Sequence, residues 1–204
     1  MTNTEPTAAK VDPRPLKLAP TTHAVHPLIR ERWSARAFSD QPISEETLHT
    51  LFEAAAWAPS SMNEQPWRYR FALRGTPAFA QLVDCLLPGN KPWAQNAAVL
   101  VVSSGMKHHA RNDAFNAYWS YDVGAANMNL FTQATGLGLY GHAMGGIDRA
   151  KAQEVLSIDT TKEEVLVFLA LGYLGEADGL IEPFRTRELT PRTRRPLAEL
   201  VTAL

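Results

Sequence analysis

The sequence predicts a single domain of the α+β or α/β class, and three patterns predict it. Apolar residues recur at helical spacing over 44–56 and about 117–135, residues 67–73 alternate in the manner of a half-buried strand, and continuous apolar runs at 97–103 and 164–175 read as strands buried on both faces. Helical and strand signals alternate from residue 27 onward with no internal repeat, a pattern open at this level to α/β as well as α+β. At 204 residues the chain is long enough to bury a substantial core in one domain.

Each element carries its own signal. Residues 1–26, rich in Pro, Thr and Ala, lack apolar periodicity and read as a flexible or extended N-terminal arm. Pro27 starts a helix with Leu28 and Ile29 as its apolar face, and RWSARAF follows at 32–38. Ser44 is an N-cap with Glu45 and Glu46 in the first turn; Leu48, Leu51, Phe52 and Ala55 form the stripe, and Pro59 ends the helix. In WRYRFAL, residues 67–73, Trp67, Tyr69, Phe71 and Leu73 are expected on one buried face. Residues 77–86 read as an amphipathic helix containing Cys85. The long helix carries Val123, Ala126, Leu130, Phe131 and Ala134 on one stripe. Its small residues Gly124, Ala125 and Ala126 allow close approach of another backbone, and Gly136 is the expected stop. A short strand, 137–143, leads to Gly145-Gly146; Asp148 caps a helix reaching about Leu156. From about 182 the chain becomes an Arg-rich C-terminal extension ending in the amphipathic stretch PLAELVTAL.

Composition excludes several classes. Forty-five per cent hydrophobic and 20% charged residues are globular values, and a net charge of -1 offers no general attraction to nucleic acid or to an acidic membrane. Cys85, the single cysteine, cannot form an intramolecular disulfide and fits a reducing, cytoplasmic setting. No apolar run approaches the roughly 20 residues a bilayer requires. The adjacent His108 and His109 cannot both face one ion from a regular element, so no metal site is expected; His142, two residues before the glycine turn, reads more readily as a satisfied structural histidine than as a pocket residue. Gly136-Leu-Gly-Leu-Tyr-Gly141 is a literal GxGxxG in reversed context, after a helix and before a strand, which excludes a dinucleotide fingerprint.

Two segments carry chemistry. In an extended RWSAR segment, Arg32, Ser34 and Arg36 share one side while Trp33, Ala35 and Ala37 share the other; two guanidiniums and a hydroxyl suit a phosphate. The segment Ala58-Pro-Ser-Ser-Met-Asn-Glu-Gln-Pro-Trp67 sets hydroxyls and carboxamides between two prolines, a stiff polar loop suited to a planar heterocycle.

RxSxRxF, then an amphipathic helix, then APSSxNxQPW, resembles the flavin-dependent nitroreductase family, and Gly136-Leu-Gly-Leu139, Met144-Gly145-Gly146 and Arg192-Thr-Arg-Arg-Pro196 extend the likeness over nearly the whole chain from residue 27. The resemblance implies a mixed central sheet flanked by helices, in a homodimer wrapped by the terminal extensions, with FMN bound at the subunit interface and NAD(P)H as electron donor. It implies that Arg32, Ser34, Arg192 and Arg194 hold the FMN phosphate and ribityl chain, that Arg36 lies near the pyrimidine edge, and that Asn90 hydrogen-bonds that ring. Pro59, Ser60, Ser61, Asn63 and Gln65 would reach the flavin from the partner subunit, and Gly145 and Gly146 would present backbone N–H groups to it. The implied reaction passes hydride from NAD(P)H through the flavin to a small electron-poor acceptor, with no catalytic side chain required. Reductive dehalogenation, flavin destruction, heterocycle oxidation and non-catalytic flavin binding are the alternatives. The chain departs from the family pattern at Gly145, where many members are acidic, at Trp93, where some carry lysine, and through Met106–Trp119, where substrate choice is expected to be encoded.

Overall fold

The computed structural model describes residues 11–204; the first ten residues of the expected N-terminal arm lie outside the described part. The elements, in order, are α1 (Pro13–Lys17), α2 (Pro27–Glu31), α3 (Glu45–Ala56), β1 (Trp67–Leu73), α4 (Pro77–Val83), α5 (Lys91–Ala94), β2 (Val99–Met106), α6 (Trp119–Gly136), β3 (Leu139–Met144), α7 (Arg149–Val155), β4 (Glu163–Tyr173) and α8 (Phe184–Leu189).

The sheet runs β1-β2-β4-β3 and every neighbouring pair is antiparallel. The resemblance implied a mixed sheet. Like-directed strands do exist, β2 with β3 and β1 with β4, but the order keeps an opposed strand between them, so no parallel ladder forms within the chain.

Two apolar layers cover the sheet. On one face α3 and α6 bury Leu48, Leu51, Val123, Ala126, Leu130 and Phe131 against Val99, Val101, Leu169 and Leu171. On the other, α4, α5 and α7 bury Phe79, Leu82, Trp93 and Ala152 against Leu100, Val102, Phe168 and Ala170. Odd residues of β2 face one layer and even residues the other, which explains the unbroken apolar run in its sequence. Cys85 is fully buried just beyond α4, its thiol donating to the Gln81 carbonyl, and burial pushes its pKa up.

Several local expectations change. β1 buries its aromatic face only in part: Trp67 is buried and Tyr69 half-buried against the α3–α6 layer, whereas Phe71 and Leu73 are exposed and Ala72 is buried on the other side, because β1 is an edge strand and only Phe52 of α3 reaches Phe71, at 5.5 Å between ring centres. Gly136 remains within α6, and the left-handed residue that turns the chain is Gly138 at φ +73°. Ile29 is 60% exposed on a helix of five residues. The N-terminal arm is not wholly extended, since α1 folds with Asp12 as its N-cap and buries Lys17. The PLAELVTAL stretch forms a single 3₁₀ turn at Leu197–Glu199, and Leu197, Leu200 and Val201 lie exposed, so its apolar residues find little cover among the described residues. Among the described residues, no helix is long and apolar enough to cross a membrane.

Candidate functional site

The RWSAR segment is extended as its alternation requires: Trp33, Ala35 and Ala37 are buried, whereas Arg32, Ser34 and Arg36 are half-buried. Arg32, with Arg192 and Arg194 from the C-terminal extension, lines a cavity of about 920 Å³ whose other wall is Ala19–Val25 of the N-terminal arm. Burial pulls the Arg32 pKa down, and the Arg194 charge pulls it further; for Arg192, burial acts together with Arg32 and Arg194. None of the three is ion-paired to a carboxylate among the described residues. Three guanidiniums repelling one another beside a cavity form a site for an anion.

Arg192 does two jobs at once. Its Nη1 donates to the Arg32 carbonyl at 2.6 Å and its Nη2 to the Arg30 carbonyl, so these donors hold the segment's backbone. Its Nε is buried and without a partner among the described residues.

Arg36 leads to a second cluster. Its guanidinium carbon lies 5.8 Å from the centre of the Trp93 ring. Trp93, nearly fully buried, packs against His142 with ring centroids 4.5 Å apart and donates its indole N–H to the Gly89 carbonyl. His142 Nδ1 meets the Ala35 carbonyl at 3.0 Å, which makes it the protonated nitrogen of a neutral ring. Burial first, and then the Arg36 charge, push the His142 pKa down to about 4. His142 is therefore a satisfied structural histidine. Lys91 does not stand in for the lysine that Trp93 replaces, because it is ion-paired with Asp84 at 2.7 Å.

Asn90 Nδ2 donates to the Gly146 carbonyl at 2.9 Å, and a Cβ on Gly146 would come within 2.8 Å of that same nitrogen. The amide thus braces the glycine turn. A Cβ on Gly145 would meet nothing within 4 Å, so no packing inside the chain demands a glycine there; the turn opens onto free space.

The Pro59–Gln65 loop lies elsewhere. It leads into β1 at one edge of the sheet, whereas Gly145-Gly146 follow β3 at the other, at the same end but separated by β2 and β4, roughly 14 Å at ordinary strand spacing. Met62, Asn63 and Gln65 all adopt positive φ, at 53°, 56° and 49°. Such residues cost about 1–3 kcal/mol each and persist only where the surroundings over-determine them. Ser60 Oγ accepts from Gln65 N at 3.0 Å, and buried Asp122 of α6 accepts from Ser61 N at 3.0 Å. The Met106–Trp119 segment completes the hold: Glu64 Oε2 accepts from Ala110 N at 3.0 Å and Arg111 Nη2 meets Met62 Sδ at 2.8 Å. His109 Nδ1 sits 3.3 Å from Glu64 Oε1 at an angle that makes no hydrogen bond.

The sequence-predicted residues therefore form two groups, one around Arg32–Arg36, Asn90, Gly145, Gly146, Arg192 and Arg194, the other around Pro59–Gln65. Sequence reading missed the supports: Lys17, Asp122 and Glu188. Each is a charged residue of a type ordinarily found at the surface, and only tertiary structure buries it.

The match to the family model described as the nitroreductase family spans residues 29–77 and 72–173. A protein of Archaeoglobus fulgidus named as an NADH dehydrogenase/NAD(P)H nitroreductase is 30% identical over 171 residues, 78% of this chain and 93% of that relative. The nitrobenzene nitroreductase of Ectopseudomonas oleovorans is 49% identical, but over only 49 residues and 22% of its length. Among solved structures, an oxidoreductase containing FMN superimposes with a TM-score of 0.85 at 36% identity, over 90% of this chain and 93% of its own. A Desulfovibrio desulfuricans nitroreductase in complex with FMN gives 0.72 at 25% identity, covering 90% of this chain and 98% of that one. Sequence, fold and coverage agree, and the chain belongs to the nitroreductase family.

Proposed function

We propose that this protein is an FMN-dependent NAD(P)H oxidoreductase that works as a homodimer. The observation that carries the reading is the cavity bearing Arg32, Arg192 and Arg194, cationic and with none of the three ion-paired to a carboxylate among the described residues, in a chain whose glycine turn opens onto free space. The donor set fits the cofactor. Arg32, Arg194, the unpartnered Nε of Arg192 and the Ser34 hydroxyl supply charge-assisted and neutral donors for a phosphate and its polyol chain. Arg36 holds a positive charge against Trp93, where it favours an anionic pyrimidine edge, and Asn90 keeps Gly145-Gly146 open for close backbone approach. When bound, FMN supplies a two-electron redox centre for a ping-pong exchange between NAD(P)H and an electron-poor acceptor such as a nitroaromatic or quinone. The protein contributes positioning and electrostatics, and no side chain is assigned as nucleophile or proton donor.

The second subunit enters through geometry. A single chain keeps its Pro59–Gln65 loop and its Gly145-Gly146 turn on opposite edges of the sheet, which supports a site in which the loop comes from another copy. Tyr121 and Met128 of α6 and the open position at Gly124 form an exposed strip at helical spacing, with Trp57, Phe71 and Leu73 also uncovered. The exposed tail Leu197–Leu204 supplies further apolar surface for a partner.

The deciding experiment is the visible spectrum of purified protein before and after anaerobic NADPH. A flavin spectrum that bleaches supports cofactor and donor together, and a nitroaromatic or quinone that restores it supports the acceptor class. A flavin spectrum indifferent to NADPH and NADH moves the protein to non-catalytic flavin binding, and no flavin even after incubation with FMN refutes the arginine and loop assignments.

A further inference from the structure

Glu188 of α8 is fully buried, and its carboxylate is used on main chain: Arg36 N–H reaches its two oxygens at 3.0 and 3.1 Å, and Ala37 N–H reaches one at 3.1 Å. No ion pair forms at Glu188 among the described residues; burial pushes its pKa up, opposed by the Arg36 and Ala37 N–H groups and then by the charges of Arg36 and Lys17. A carboxylate is costly to bury, and here it is offset by two backbone donors of one extended segment.

The helix that carries Glu188 is itself held. Lys17, buried against the Trp33 ring with Nζ 5.2 Å from its centre, donates to the Arg187 carbonyl at 2.7 Å and the Thr190 carbonyl at 2.5 Å, at the end of α8. Arg192 takes the carbonyls of Arg30 and Arg32. Gly175 N donates to the Ala37 carbonyl at 3.0 Å. The segment from Arg30 to Ala37 is thus gripped at one end by a base on its carbonyls and at the other by an acid on its amides.

We infer that Glu188 is a positioning residue for the flavin site: by accepting the Arg36 and Ala37 N–H groups it fixes the pleat of the segment and so aims the Arg36 guanidinium across Trp93. The inference rests on the FMN reading above and adds to it a residue that makes no contact with the cofactor. Its side chain acts on one neighbour's orientation, so its effect on FMN should depend on that neighbour.

The test is a double-mutant cycle on the full chain, with FMN affinity read from quenching of flavin fluorescence in wild type, Glu188→Gln, Arg36→Ala and the double variant. Glutamine keeps the shape but loses the charge and one acceptor oxygen. Glu188→Gln is expected to weaken FMN binding about tenfold in the wild-type background and by less than about twofold once Arg36 is alanine. Unchanged affinity in the single variant, or the same factor in both backgrounds, overturns the inference, since a merely structural carboxylate would act independently of Arg36. Wild-type protein that fails to bind FMN refutes the cofactor reading instead. The hold itself is then read from hydrogen exchange of the Arg36 and Ala37 amides, which should accelerate about tenfold or more in Glu188→Gln and, if unchanged, removes Glu188 from the segment. Should Glu188→Gln fail to fold, Lys17→Met loosens α8 while keeping the carboxylate; a weaker loss of FMN affinity, again dependent on Arg36, supports the inference, and independence from Arg36 overturns it.

Discussion

The two halves of the candidate site are built by opposite means. The Arg32–Arg36 segment is relaxed and over-held: its apolar residues are buried, its carbonyls are bound by Arg192, and its amides are bound by Glu188. The Pro59–Gln65 loop is strained, with three residues at positive φ, and is held by separate polar contacts: Ser61 to Asp122, Gln65 to Ser60, Glu64 to Ala110 and Met62 to Arg111. A site that must grip a phosphate benefits from a rigid cradle, because guanidiniums fixed in advance lose less entropy on binding. In the proposed homodimer the loop reaches across to another subunit, and it is more exposed and shaped by a few local contacts. On that proposal the contrast separates what one chain completes alone from what it prepares for a partner.

The largest expected effect breaks the relaxed half without touching an arginine. A Cβ on Gly175 would stand 2.5 Å from both the carbonyl carbon and oxygen of Phe38, a backbone clash no rotamer relieves. Gly175→Ala should cost about 3 kcal/mol of stability and weaken FMN binding as the segment shifts. Urea denaturation checks the first and flavin titration the second; a variant as stable as wild type would show the segment to be looser than its contacts imply. Next is pH. His142 is buried neutral, its pKa held near 4 against an unfolded value of 6.5. The unfolded chain binds the extra proton between those values, so stability is full above about pH 6.5 and falls as pH drops toward 4, by about 2–3 kcal/mol. His142→Gln should flatten that slope between pH 7 and 4.5, and an unchanged slope would place the titrating group elsewhere. Arg32→Ala comes third. It should weaken FMN binding by about 2 kcal/mol, one charge-assisted contact, while leaving the melting temperature nearly unchanged. Undiminished affinity would refute the phosphate role.

How much of this was legible depends on the range of the interaction that specifies each feature. Periodicity marks α3, α6, β2 and β4 because their neighbours lie three, four or two residues away, and the alternation in Arg32–Arg36 is likewise local. β1 was legible only at its start: Trp67 is buried as its alternation predicts, whereas Phe71 and Leu73 look like core residues and lie exposed at the sheet edge, a distinction that depends on what lies beside the strand. Lys17 and Glu188 were illegible for a stronger reason. Lysine and glutamate are ordinarily surface residues, and their burial follows from two terminal segments more than 150 positions apart folding onto each other, as the Lys17–Arg187 bond at a separation of 170 shows. For Arg192 the family resemblance implies a phosphate ligand, and the commitment of two of its donors to backbone carbonyls is something no motif reveals.

The smallest effect sharpens the comparison from the strained side. Met62 is exposed and sits at φ 53°, so glycine there removes the left-handed penalty and sacrifices little beyond the Arg111 contact. Met62→Gly should leave stability unchanged or raise it by up to about 1 kcal/mol, the relief of strain being partly offset by the extra freedom of the unfolded chain. Met62→Val, β-branched at the same φ, should lower stability by about 1–2 kcal/mol. The sign difference between the two is the signature of strain, measurable by paired thermal melts. If the loop's shape serves a partner's flavin, Met62→Gly should also weaken FMN binding while leaving the fold intact, since a loop no longer held in one conformation must be ordered on binding. Unchanged FMN affinity with raised stability would mean that the loop carries its strain for some purpose other than the cofactor.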